Sequence, residues 1–148
     1  MLSCKLLAKC LLWASLQNQV PADALLAIME VEGGRAGLEV SNANGTHDLG
    51  LMQINTCWLP DLARAWSIPS SQVRRLIRDN DCLNITVAAH ILKTKIREAQ
   101  GDILQGIARY NSAHPHYGNP YLSKVIRAYF NQNRRADPSL HGVRENRK

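Results

Sequence analysis

The sequence predicts a mainly α chain with a small β-hairpin near residues 38–55, and three observations carry that prediction. Apolar residues recur at helical spacing through much of the 148-residue chain. Helix starts and stops punctuate it closely. And "SNANGTHDLGLMQIN", residues 41–55, sets the strong turn dipeptide Asn44-Gly45 between two short segments able to pair.

At the N-terminus, Leu6, Leu7, Cys10, Leu11 and Ala14 fall at helical spacing. Lys5 and Lys9 interrupt the apolar run and leave residues 10–16 free of charge, which is short for the core of a signal peptide and far too short to span a bilayer. A first helix of the domain is therefore expected, with 1–9 as a partial N-terminus that lacks a clear export signal. "VPADALLAIMEVEGG" gives the clearest helix: Pro21 lies near its first turn, Asp23 near the positive end of its dipole, and Gly33-Gly34 stop it. Further helices are expected at 59–66, 70–79, 84–99, 102–111 and 121–131. "NSAHPHYGNP", with two prolines and a glycine, reads as a loop.

The length suits one domain, expected over 1–131. Hydrophobic residues at 45% and charged residues at 20% exclude wholesale disorder. Of the net charge of +6, the stretch from Arg127 onward supplies +4, from six basic and two acidic residues. Residues 132–148 read as a basic, disordered tail, with weak electrostatic attachment to an anionic envelope polymer or to nucleic acid as its functional alternative. Arg74, Arg75 and Arg78 read as a solvated helix face, so no specific nucleic-acid partner is expected. Two histidines, His114 and His116, in a loop without a third ligand make no metal site, and His90 reads as a packed helix residue.

Four cysteines allow three full pairings, and none forms a CxxC. Cys4 and Cys10 on one helix stand about 9 Å apart, too far to bridge. Cys57 and Cys82 are the expected pair in an oxidising compartment, with buried reduced thiols as the alternative.

Two carboxyls carry the chemistry. Steps of three, four and seven back from Glu32 reach Met29, Ile28 and Leu25, whereas the same steps from Glu30 reach Ala27, Leu26 and Asp23. Glu32 thus lies on the buried stripe and in the last helical turn, where burial and the dipole both favour the protonated form. An acid still protonated near neutrality is what a general acid requires. Asp48 follows a turn able to bring it back toward that helix end, and two carboxyls in different environments across a groove are the usual equipment for cleaving a glycosidic bond.

"LLAIMEVEGG", "NANGTHDLGLMQINTCWLPDLA", "CLNITVAAHIL", "GIARYNSA" and "YLSKVIRAY" occur in the order seen in lysozyme-like lytic transglycosylases. The chain resembles the small specialised enzymes of conjugation, type IV and type III secretion and pilus systems, over roughly residues 10–129. The resemblance implies an α+β lysozyme-like fold and cleavage of peptidoglycan glycan strands in the periplasm or cell envelope, by a monomer without a cofactor or a transmembrane span. Components of a secretion or conjugation apparatus are the implied partners. By position Glu32 matches the family's catalytic acid, here followed by Gly33 in place of the common serine. Gly50, Met52, Gln53 and Asn55 match the segment lining the substrate groove, and Tyr110 and Asn111 match a "YN" pair beside the acid. Asp48 departs from many transglycosylases, because "TxDxGxxQIN" also resembles the segment bearing the second carboxylate of animal-type lysozymes. Hydrolytic muramidase and non-catalytic glycan-binding scaffold therefore stand as alternative functions.

Overall fold

The computed structural model describes residues 3–137. The chain begins with α1 (Cys4–Asn18), capped by Ser3, whose Oγ accepts the Leu6 amide at 3.4 Å. α2 (Ala22–Glu32) follows Pro21 and ends at Gly33, which takes the left-handed conformation (φ 61°) that glycine adopts at low cost. Three short antiparallel strands come next: β1 (Glu39–Ser41), β2 (His47–Leu49) and β3 (Ile54–Asn55), in the order β1-β2-β3. The expected hairpin is therefore the first half of a three-stranded sheet. Its register sets Asp48 on the central strand, opposite Val40 on one side and Asn55 on the other.

After a single 3-10 turn (Thr56–Trp58), the remaining helices are α3 (Leu59–Trp66), α4 (Ser70–Asp79), α5 (Asp81–Glu98), α6 (Ile103–Asn111) and α7 (Pro115–Ala136). The fold is mainly α and lysozyme-like. α1 and α6 pack on α5, and α7 packs on both α2 and α6. The core joins Leu25 and Ile28 of α2, Leu49, Met52 and Ile54 of the sheet region, Val73 and Ile77 of α4, and Ile85 and Leu92 of α5.

Four expectations change. Cys82 pairs with Cys10 rather than Cys57, with 5.1 Å between Cα atoms, while Cys4 and Cys57 are free and exposed. The reason is packing: α1 lies along α5 and puts Cys10 against Cys82, whereas the turn after β3 aims Cys57 outward. The stretch 111–120 is a loop only at 112–114, and the rest of it is helix. His114 caps α7 by accepting the His116 amide on its ring nitrogen, Pro115 occupies the first helical position where its missing N–H is harmless, and Pro120 sits inside the helix. Gly118 allows the close crossing, because a Cβ there would crowd the Ala108 and Ser112 carbonyls. Residues 132–136 continue α7, Asp137 caps its end, and residues 138–148 of the expected tail lie outside the described residues. Finally, Arg74 and Arg78 are not simply solvated: both pair with Glu39 on β1, holding α4 to the sheet.

One buried polar side chain organises the region below the sheet. Asn84 of α5 is fully buried; its amide nitrogen donates to the carbonyls of Leu49 (2.9 Å) and Ile77 (3.0 Å), and its oxygen accepts the Met52 amide at 2.7 Å. Every polar position of that amide facing the loop is thus used, which removes the penalty of burying it. Gly50 passes directly over it with φ +70°, and a Cβ would strike the Asn84 amide.

Candidate active site

Glu32 is the last residue of α2, on the face that packs toward the core, while Glu30 is exposed and accepts a bond from Gln132. The face assignment from spacing thus separates the two glutamates as expected. The Tyr121 hydroxyl of α7 donates to Glu32 Oε1 at 2.6 Å. Burial pushes the Glu32 carboxyl up to about 7; the Tyr121 hydrogen bond pulls it down, and the neighbouring Asp48 carboxylate adds a further upward push. Burial, together with the Glu32 charge, keeps Tyr121 protonated far beyond the ordinary phenol range, so it remains a donor.

Asp48 is held from both sides. Its Oδ1 accepts from the Asn55 amide at 2.9 Å and its Oδ2 from the Asn42 amide at 3.1 Å, and Thr46 Oγ1 accepts from both amides. The sheet register explains the grip: Asn55 lies across from Asp48 on β3, and Asn42 directly follows β1. With one amide on each oxygen, the carboxylate is locked in orientation.

The segment 50–55 works largely through its backbone. Met52 is wholly buried, so its side chain belongs to the core; its carbonyl accepts the Tyr110 hydroxyl at 3.1 Å. Gln53 has a left-handed backbone (φ 51°), uncommon for a residue with a side chain, and its amide donates to the Gly50 carbonyl at 2.8 Å. Gly34 makes the approach possible, since a Cβ there would collide with the backbone of Gly50 and Leu51. The helix carrying Glu32 and the loop carrying Gln53 are therefore in near backbone contact.

These pieces line one groove of about 510 Å³. Glu32, Asp48, Gln53, Asn55, Tyr110 and Asn111 all border it, whereas Gly50 and Met52 support it from beneath. Tyr110 stacks on Tyr121 with ring centroids 6.5 Å apart, which ties α6 and α7 together behind the acid. Sequence reasoning missed several residues here. Tyr121 begins a quoted motif, but nothing local signals a partner 89 residues away. Thr46 stands two residues before Asp48 and could have been found from the strand period, whereas Asn42 lies across the Asn44-Gly45 turn and reaches Asp48 only once the hairpin closes. Trp58 and Lys95 form another wall of the groove, the ammonium lying 5.5 Å from the indole centroid.

A family model described as the Transglycosylase SLT domain matches residues 9–134. The chain belongs to the transglycosylase SLT family. No curated protein matches it. Lytic transglycosylation of peptidoglycan, a cleavage of glycosidic bonds, is the chemistry of the SLT domain, and peptidoglycan is its substrate. The matched span contains both carboxyls, the disulfide and every groove residue named above.

Proposed function

We propose that this SLT-family chain cleaves the β-1,4 bond between N-acetylmuramic acid and N-acetylglucosamine, with Glu32 as sole proton carrier, and leaves a 1,6-anhydro end. The observation that carries the reading is the Glu32 carboxyl itself: a groove-lining acid raised to about 7, with Tyr121 bonded to one oxygen. The other oxygen is left to hold the proton. Glu32 gives that proton to the glycosidic oxygen as the C1–O bond breaks, and positive charge develops at the muramic C1. The C6 hydroxyl then attacks C1 and returns its proton to Glu32, which closes the anhydro ring and restores the acid without consuming water. Tyr121 stabilises the carboxylate that exists between the two transfers. Asn111 and Gln53 offer amide groups to sugar hydroxyl and acetamido groups, Trp58 offers an apolar face, and Asn55, whose two N–H donors go to Asp48 and Thr46, borders the groove as the residue that holds the carboxylate.

Asp48 serves as a fixed negative charge near the developing cation. One amide donor on each oxygen fixes the orientation of that charge, and each oxygen keeps a further lone pair. The presence of Asp48 keeps the hydrolytic muramidase as the second reading, because retaining hydrolases place such an acid opposite the proton donor. Mass spectrometry of digested glycan separates the two. Anhydro ends, one water lighter than reducing ends, support the transglycosylase, and Asp48→Asn should then slow the reaction without changing the product. Predominantly reducing ends from the wild type would make the protein a muramidase with Asp48 as a full partner. Absence of any cleavage would leave a glycan-binding scaffold. The setting we propose is the cell envelope, where local opening of the wall serves a secretion, conjugation or pilus apparatus; the support is the sequence resemblance given above.

A further inference from the structure

Four exposed large apolar side chains fall within three turns of α1: Leu6, Leu12, Trp13 and Leu16, with Leu16 75% and Trp13 61% exposed. A folded domain scatters such residues singly, and a contiguous group marks a contact surface. Helix geometry makes the group contiguous here. Lys5, Lys9, Leu12 and Leu16 follow one another at steps of four, three and four, so they form a single stripe along the outward face, flanked by Leu6 and Trp13. The opposite face holds Cys10, Leu11, Ala14 and Asn18 and is buried, with Cys10 bonded to Cys82. The helix is therefore pinned with its apolar and basic stripe turned away from the core. Trp13 extends the patch into a shallow groove of about 460 Å³ shared with Leu62 and Trp66 of α3 and Leu83 of α5.

We propose that the outward stripe of α1 seats this domain on an anionic lipid surface. Charge complementarity selects that occupant. α1 holds two lysines and no acid. A second copy packed antiparallel along the stripe would bury Lys5 and Lys9 against Leu16 and Leu12 with no carboxylate from α1 to answer them, which is costly. At a bilayer the same order of residues is favourable: Leu12, Trp13 and Leu16 enter the boundary between headgroups and acyl chains, and the two lysine stems reach up to lipid phosphates. The 15-residue helix, about 22 Å long, lies in the plane of the surface. None of these residues borders the groove that holds Glu32, so the domain can rest on lipid with its glycan site unobstructed.

The test uses the full chain with vesicles of phosphatidylcholine, with and without phosphatidylglycerol. Wild type should co-sediment with the anionic vesicles only, lose binding as salt rises, and show a blue shift of tryptophan emission that Trp13→Phe abolishes. Lys5→Gln and Lys9→Gln should each weaken binding roughly fivefold. Leu12→Gln with Leu16→Gln should weaken it at least about tenfold, while lysis of soluble glycan by the same variant reports an intact fold. If that variant fails to fold, the two lysine variants and Trp13→Phe still decide the matter. Residues 138–148 are also basic and can attract anionic vesicles, so the variants are decisive: binding that none of the α1 substitutions changes overturns the proposal. Equally, no binding to anionic vesicles, or a concentration-dependent dimer that the leucine substitutions dissolve, overturns it.

Discussion

Glu32 combines two properties that pull against each other, and their conflict is measurable. Its carboxyl titrates near 7 folded against 4.5 in an unfolded chain, so the folded state binds the proton more tightly. The stabilisation tied to that proton is fully present below pH 4.5 and is lost as pH rises toward 7, a loss of about 3 kcal/mol across the window. Glu32→Gln carries no such proton. It should match the wild type in urea melts at pH 4 and exceed it by about 2–3 kcal/mol at pH 8, while lytic activity falls by at least about 10²-fold. Glu30→Gln should leave activity nearly intact; equal loss in both variants would contradict the assignment of faces. Tyr121→Phe probes the same carboxyl from the other side. The tyrosine bond lowers the Glu32 pKa, so its removal should move the alkaline limb of the rate profile upward while the maximum rate falls. A merely structural tyrosine would leave that limb in place.

At the scale of elements, the site depends on how the loop between β2 and β3 is held over α5. Asn84→Ala would strand the Met52 amide and two carbonyls in a dry interior and open a small cavity, destabilising the protein by about 3 kcal/mol in denaturant unfolding. Because Met52 also accepts the Tyr110 bond, activity should fall further than the unfolded fraction accounts for. Much of this level was legible beforehand. The bounds of α3 and α4 follow from apolar spacing and flanking prolines, and the end of α2 from Gly33. What was not legible depended on neighbours distant in the chain. Asn84 looks like any polar residue near a helix start until Leu49 and Ile77 close on it. Met52 reads as groove lining from its motif, yet only its carbonyl serves the site. Residues 111–120 read as a loop because two prolines and a glycine weigh heavily in a local window; the cap at His114 and the close crossing on α6 reverse that balance.

For the molecule as a whole, the disulfide is the longest-range covalent constraint, and its partner choice could not be reached from spacing. Cys57 is closer to Cys82 in sequence, but α1 must lie against α5 to bury Leu11 and Ala14, and that packing brings Cys10 to Cys82. The link spans 72 residues and so encloses α2, the sheet, α3 and α4 in a single loop. In the chain-entropy account, closing a loop of that length stabilises the fold by about 4 kcal/mol, more than the shorter link between Cys57 and Cys82 would. Reduction, or Cys10→Ser, should therefore lower the melting temperature by about 10 °C or more. Cys57→Ser should leave it unchanged, because that thiol is exposed at the groove edge. Peptide mapping without reductant should recover Cys10 and Cys82 in one linked pair. Recovery of Cys57 linked to Cys82 instead would place α1 differently on α5, and the outward stripe of Lys5, Lys9, Leu12 and Leu16 would lose its fixed orientation with it.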